Sequence, residues 1–525
     1  MSIVRRSGQA RPGFKRQAGI TTTVFSLVLN WCGVTVAMEF ADVTSATGML
    51  AEHFTNKPSC GQAMADFDRD GREDILLTGY FFPNLLFLQS APGTFSESPL
   101  SAQLNPPVSR CGAAAAADYN NDGWPDLYLA CNEDNHLFRN DQGTGFSEVT
   151  AELQVNHGGN SEAVAWADLN QDGQLDLFVG AYPSSSTPDL NDPDNLDQLW
   201  LSQPDGSYLN IGHLLDAATR ARTALAAQFF DIDNDGDQDL YVVNDKLDGN
   251  SLWRNDGPGC GGWCLTDVAG SNGADRPVFG MGIAAGDIDH DGDLDLYFSS
   301  IGEQVLLRND LDQGSLAFTE ISTAAGLNFY AVGWATHFAD FNNDARLDAY
   351  LATGNIDYPY NTDRVYRNDS TADSLWFADV AEASNASNAE RTHGAAQWDY
   401  DGDGRQDLVV CNNNVDYRLY RNVSVEPGNW IELRLDGAAS NINRDAIGSR
   451  ITVSDGQGHL QQREVASGQA RGGNSSLIQH FGVGDASQVS VRIRWPDGRE
   501  DSHQLSANSR HRLFYAELLQ RDGFE

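Results

Sequence analysis

Seven times along the chain a run of small apolar residues leads into an acidic stretch, and a β-branched or aromatic run follows at once. GQAMA, CGAAAAA and GMGIAAG illustrate the first run; ILLTG, LYLAC, LFVGA, LYVVN, LYFSS, AYLAT and LVVCN are the seven that follow. Apolar runs of this length, bounded by turn residues, predict two short buried strands joined by the acidic loop. A third run ends in Arg-Asn: HLFRN at 136–140, SLWRN at 251–255, VLLRN at 305–309, RVYRN at 364–368 and RLYRN at 418–422, with FLQ and WLSQ as divergent versions in repeats one and three. An aromatic-led run completes the unit: FSEVT at 146, FTEIS at 318 and FADVA at 377, with LTDVA at 265 as a variant. Four strands per unit is the content of a propeller blade, and the period of 50 to 63 residues is that of an array whose units bury their faces on one another.

The acidic loops set the count. They read DFDRDGRED from Asp66, DYNNDGWPD from Asp118, DLNQDGQLD from Asp168, DIDNDGDQD from Asp231, DIDHDGDLD from Asp287, DFNNDARLD from Asp340 and DYDGDGRQD from Asp399. Seven units predict an all-β, seven-bladed propeller over residues 38–425. Its ends fit closure. Phe40 opens FADVT, the fourth-strand pattern with no loop before it, whereas the seventh repeat stops after RLYRN. The N-terminal strand is therefore expected to complete the last blade and remove an open sheet edge.

From Asn429 the period ends, and NWIELRL, RITVSDG, HLQQREV, SLIQHFGVG and VSVRIRWPDG alternate between Gly turns. They predict a small antiparallel β-domain over 426–512, with 513–525 left as a tail without an assigned element. At the other end, Arg5, Arg6, Arg11, Lys15 and Arg16 precede a mostly apolar stretch from Ile20 to Ala37 that contains no acid. This is the pattern of a secretory signal, cleaved after Thr35-Val36-Ala37, with a retained anchor as the alternative. No later segment is long and apolar enough to span a bilayer. Export permits disulfides. Without Cys32 six cysteines remain; Cys260 and Cys264 can bridge locally, and Cys60, Cys111, Cys131 and Cys411 can form two further pairs or stay as buried thiols.

Charge narrows the partners. With 74 Asp and Glu against 34 Lys and Arg the formal net charge is −40, which repels phosphate backbones and argues against nucleic acid. The loops explain much of the excess. Oxygen-bearing side chains stand at positions 1, 3, 5 and 9, with Gly at position 6 in all but one, a pattern that suits a hard cation taking six to eight oxygens, Ca²⁺ before Mg²⁺. The candidate ligands are Asp66, Asp68, Asp70 and Asp74; Asp118, Asn120, Asp122 and Asp126; Asp168, Asn170, Asp172 and Asp176; Asp231, Asp233, Asp235 and Asp239; Asp287, Asp289, Asp291 and Asp295; Asp340, Asn342, Asp344 and Asp348; Asp399, Asp401, Asp403 and Asp407. An EF-hand would need Glu at position 12, where Leu77, Leu129, Val179, Val242, Phe298, Leu351 and Val410 stand instead. The expectation is up to seven structural Ca²⁺ ions, held least well in repeat six. There Ala345 replaces the glycine and Asn342 leaves only three carboxylates.

These loops resemble the FG-GAP/VCBS repeats of integrin-α-like propellers, and the resemblance implies that the ions brace the blades and do no chemistry. NRDAIGSRITV at 443–453, the REV and Gly-rich stretch at 463–474, HFGVG at 480–484 and RWPDG at 494–498 resemble the ASPIC/UnbV domain. The combination is similar to the cartilage acidic protein family, which implies a secreted, acidic, calcium-binding protein. Arg444, Asp445, Arg450 and Arg463 form either a binding site or a buried ion-pair network. No nucleophile motif, HExxH, Walker loop or CxxC pair is present, and histidines such as His337 and His393 fall at unmatched positions. The reading is therefore an exported binding or adhesion module for an extracellular or periplasmic protein or glycan ligand. The alternative is a polysaccharide lyase or hydrolase, which a cluster of His, Arg, Tyr and Lys on the central face would favour.

Overall fold

The computed structural model describes residues 38–515, apart from 54–59, 107–109, 186, 261, 312–314, 355–361, 372–373, 414, 426, 438–440, 457 and 470; the expected signal segment lies outside the described residues. Seven four-stranded antiparallel units follow one another as the blades of a propeller. Their first strands are Gln62–Ala65, Cys111–Ala117, Ser161–Ala167, Ala224–Phe230, Gly280–Gly286, Tyr330–Ala339 and Thr392–Trp398. Each packs on the first strand of its neighbours round the ring, the seventh against the first. Seven strands converging on one axis leave little room for side chains, which is why these runs are rich in Ala and Gly. The third strand of blade 7, Arg418–Asn422, pairs with Phe40–Asp42, Phe40 opposite Asn422, so the N-terminal strand closes the ring. Outer strands are shorter than expected: Phe146–Glu148 ends before Thr150, which opens a one-turn helix, Thr150–Leu153.

The recurrent Asn of the third strand acts as an inter-blade rivet. Its backbone N–H donates to the position-9 Asp of its own loop, and its side-chain amide donates to the position-2 carbonyl of the preceding blade. In blade 2 these are Asn140 to Asp126 Oδ1 at 2.7 Å and to Phe67 O at 2.9 Å; in blade 7 they are Asn422 to Asp407 Oδ1 at 2.7 Å and to Phe341 O at 2.8 Å. Asn255, Asn309 and Asn368 repeat the bond to Leu169, Ile232 and Ile288. In the divergent first repeat Gln89 does the same work, reaching Tyr400 O of blade 7 at 2.6 Å. Cys60–Cys411 ties blade 1 to blade 7 covalently, Cys111–Cys131 joins the first two strands of blade 2, and Cys260–Cys264 staples the outer hairpin of blade 4.

The C-terminal domain has two sheets. One orders Leu460–Glu464, Arg450–Ser454, Gln488–Arg494 and Glu500–Ser506, all antiparallel. The other flanks Asn429–Asp436 with Gln479–Gly484 on one side and Ser509–Phe514 on the other. That last pair is parallel, so the domain is antiparallel in all but one pairing. The closing strand carries past Arg512 to Phe514, and Tyr515 is buried with its ring 5.3 Å from that of Trp495. Among the described residues no helix is long and apolar enough to cross a membrane.

Candidate functional site

Each acidic loop is shaped by its own carboxylates. The position-1 Asp turns back onto the loop: Asp66 accepts from Asp70 N at 2.9 Å and Gly71 N at 3.0 Å, and Asp118, Asp168, Asp340 and Asp399 repeat this. The position-9 Asp is a buried staple; Asp74 accepts from Phe67 N at 2.9 Å and Gln89 N at 2.8 Å. The glycine at position 6 has positive φ throughout, from 80° at Gly404 to 110° at Gly236, and Ala345 adopts φ 74° in its place. Position 4 is left-handed as well. It is occupied by Arg69, Asn121, Gln171, Asn234, His290, Asn343 and Gly402, and only the Asn, His and Gly among them are types that favour the conformation.

The structure brings three carboxylates together in four loops, each set having ligand atoms within 4.8 Å of one another: Asp66, Asp68 and Asp70; Asp231, Asp233 and Asp239; Asp287, Asp289 and Asp291; Asp399, Asp401 and Asp407. Loops two, three and six, which carry Asn120, Asn170 and Asn342 at position 3, form no such set among the described residues. In the last two the Asn amide donates to the position-5 carboxylate, Asp172 at 3.1 Å and Asp344 at 3.0 Å. Burial pushes these acids up: Asp74 to about 8, Asp126 to about 9, Asp287 to about 7 and Asp340 to about 8. Among the described residues, Asp231 Oδ1 and both oxygens of Asp287 are buried without a hydrogen-bond partner within standard geometry. Crowded, half-satisfied, all-oxygen donor sets of this kind fit a hard divalent cation.

The C-terminal domain sits on the loop-bearing face. The propeller carries 61 acids and 18 bases over 38–425, whereas 426–512 holds ten of each, every base an arginine. These arginines meet the loops. Arg494 Nη2 donates to Asp231 Oδ2 at 2.6 Å, and Arg450 reaches Asp231 O at 2.5 Å while pairing with the buried Glu464 at 3.3 Å. Asp445 accepts Asp118 N at 2.7 Å, and Arg463, half-buried, lies in the field of Asp340 and Asp287. Arg450 thus belongs to a buried ionic network, Arg463 gives its hydrogen bonds to Gln462 O and Gln461 Oε1 over the Phe481 ring, and Arg444 and Asp445 line a cleft. Two of the position-6 glycines have a second reason to be glycine, because a Cβ on Gly404 would collide with the ring of Trp430 and one on Gly173 with Asn441 and Ile442. At loop six the glycine is on the other side of the contact: a Cβ on Gly482, in the HFGVG motif, would strike Asp340 and Asn343.

The Gly-rich segment 467–476, of which all but residue 470 is described, enters the channel. Asn474 N donates to Gln62 O at 2.8 Å, Asn474 Nδ2 to Ala116 O at 3.0 Å, and Gly468 packs on Ala165. Arg471 pairs with Glu162 at 3.2 Å and lies 4.8 Å from the centroid of the Trp334 ring, which meets His393 at 4.6 Å. Tyr182 OH donates to Asp245 at 2.6 Å, and Lys246 Nζ sits 4.4 Å from the Tyr182 ring centroid. A channel group of Tyr, Lys, Arg and His is therefore present. Nothing in the spacing of these residues along the chain announced it, because each comes from a different blade or from the plug.

Residues 66–129, 118–179 and 231–298 match the FG-GAP-like repeat family, and residues 437–518 match the ASPIC and UnbV family. Cartilage acidic protein 1 of Homo sapiens is 23% identical over 544 residues, which cover 95% of this chain and 78% of that protein. Its Xenopus tropicalis counterpart is 23% identical over 495 residues, 86% of this chain and 73% of that protein. Among solved structures, an Agrocybe aegerita lectin described as recognising non-reducing terminal N-acetylglucosamine is 14% identical, with a TM-score of 0.43 and coverage of 71% of this chain and 88% of that one.

Proposed function

For a chain that is a homologue of cartilage acidic protein 1, built of FG-GAP repeats and an ASPIC/UnbV domain, we propose an exported, calcium-binding β-propeller that acts as an extracellular binding or adhesion module for a protein or glycan. The observation that carries this reading is the convergence of three carboxylates in each of four repeated loops on one face. A calcium ion there supplies positive charge between carboxylates that otherwise repel one another, and so braces loop and blade. The chain's own residues complete the arrangement: position-1 and position-9 carboxylates fix the loop backbone, and the arginines of the second domain neutralise what reaches the interface. A disulfide that joins blades 1 and 7, with two more inside blades, suits an oxidising compartment.

The test is a glycan and protein binding array run with calcium and with chelator. Binding that is present with calcium and lost with EGTA is expected; binding indifferent to EGTA, or none to any class, overturns the reading. The channel group supports a second reading, a polysaccharide-cleaving enzyme, because it places Tyr182, Lys246 and Arg471 near one another. Chain cleavage of a polysaccharide that disappears in Tyr182→Phe would establish it.

A further inference from the structure

A cleft of about 410 Å³ opens between the first two acidic loops and the C-terminal domain, lined by five arginines and five acids. Its floor follows from strand alternation. In the parallel pair, Glu432 lies opposite Arg510 and Arg434 opposite Arg512, so residues 432, 434 and 436 share one sheet face with 510 and 512. Ile431, Leu433 and Leu435 take the other face and enter the core. The acids of the charged face are sunk and its bases stand up. Side chains of Glu432, Asp436 and Asp445 are 2–5% exposed, while those of Arg434, Arg444, Arg510 and Arg512 are 30–53% exposed.

The buried acids orient the arginines without saturating them. Arg434 gives Asp445 one bond at 2.8 Å, Arg510 gives Glu432 one at 2.7 Å, and Arg512 pairs with Asp436. A guanidinium has five N–H donors, so most remain for another acceptor. Arg444 goes further: its nearest carboxylate oxygen is 3.9 Å away, and among the described residues its guanidinium makes no hydrogen bond. Arg69, from position 4 of the first loop, comes to the same place, since an atom at the Cβ position of Gly123 would lie 3.0 Å from Arg69 Nη1 and 3.3 Å from Arg444 Cζ. Three propeller acids line the cleft, and none has an ion pair with Arg69 or Arg444 among the described residues: Glu73 lies beside Arg510 and accepts Ser476 Oγ at 2.7 Å. Asp118 and Asp66 are turned inward, each accepting two backbone N–H groups of its own loop. Two guanidiniums so close, with no carboxylate bonded between them, form a seat for an oxyanion.

We infer that this cleft binds an acidic saccharide unit, whose carboxylate or sulfate is held by Arg69, Arg444 and the neighbouring rim arginines. The size suits one or two sugar rings, within the range of small-ligand sites. The lining favours a sugar over a peptide, because its apolar side chains are only Ile478 and Pro125, with no aromatic anchor of the kind that dominates protein contacts. The inference rests on the binding-module reading and names the ligand class of one site within it.

The experiment is calorimetric titration of the full mature chain, in calcium, with a glucuronate-terminated disaccharide, a sulfated disaccharide, a neutral disaccharide and an acidic peptide. The wild type should bind one or both acidic sugars and not the neutral one. The double variant Arg69→Gln with Arg444→Gln should weaken that binding at least about tenfold, roughly 1.4 kcal/mol, while its melting temperature stays within a few degrees of the wild type. Arg492→Gln, on the outer sheet, serves as a control that leaves affinity unchanged. Equal affinity in the double variant, binding of the peptide alone, or no binding of either acidic sugar overturns the inference. Calcium content and array binding of the same samples judge the broader reading separately: a chain that holds calcium and keeps an array ligand while ignoring acidic sugars refutes only this site.

Discussion

The propeller and the domain that covers it solve the same electrostatic problem from opposite sides. Propeller loops concentrate acid in a repeated frame, and six of the seven frames are stapled by an Asn or Gln from the next blade as well as by backbone N–H groups. The C-terminal domain has balanced charge, no repeat, and arginines placed one by one over the loops. Where it reaches, as at Asp231, a guanidinium already stands against the first loop acid; at the first loop the one ion pair of Asp66, Asp68 and Asp70 among the described residues is that of Asp70 with Arg72. Two means of neutralisation on one face should respond differently to removal, and the comparison can be broken at either.

The largest effect should come from ring closure, which precedes both. Deleting residues 40–44 removes the outer strand of blade 7, the buried Phe40 and the Thr44 Oγ1 that accepts Leu419 N at 2.9 Å. Loss of a cooperative thermal transition, with aggregation in light scattering, is expected; a normal melt would refute closure. Next, Arg450→Ala leaves Glu464 and the Asp231 backbone carbonyl without their buried partner. Urea unfolding should show a loss of about 3 to 5 kcal/mol, the usual penalty for an orphaned buried charge.

A matched pair at loop position 6 separates backbone strain from domain contact. Gly71→Ala meets nothing within 4 Å and should cost about 1 kcal/mol for its φ of 91°. Gly404→Ala carries a similar φ of 80° and must also displace Trp430, so about 1 to 3 kcal/mol more is expected. Equal losses would show that the glycine serves the loop alone. The smallest effect is Ala345→Gly, which relieves φ 74° and should gain roughly 0.5 to 1 kcal/mol, read as a higher melting temperature.

Repetition made the propeller legible: the seven acidic loops reappear between strands, and the Arg-Asn runs and the FADVT opening reappear as strands, in the expected order. The reasons for several of those residues were not legible. Why Asn ends the third strand depends on a carbonyl about 70 to 90 residues earlier, such as Phe67 for Asn140 or Phe341 for Asn422. The left-handed turn at Arg69 and Gln171 is imposed by the loop and not by residue preference. Strand alternation in NWIELRLD revealed a two-faced strand, yet neither its parallel partner at 509–514 nor its position over the loops is encoded locally. The Gly-rich run at 467–476 reads as a loop in sequence and proves to be the plug of the channel, where Gly468 and Gly472 fit against strand backbones.

The central claim is that cations complete the acidic loops, and the direct measurement is bound calcium together with thermal melting on one sample, before and after EGTA. The account predicts several calcium ions per chain, up to seven, and a substantially lower melting temperature once they are removed. A chain with no bound calcium whose melt is unchanged by EGTA would contradict it.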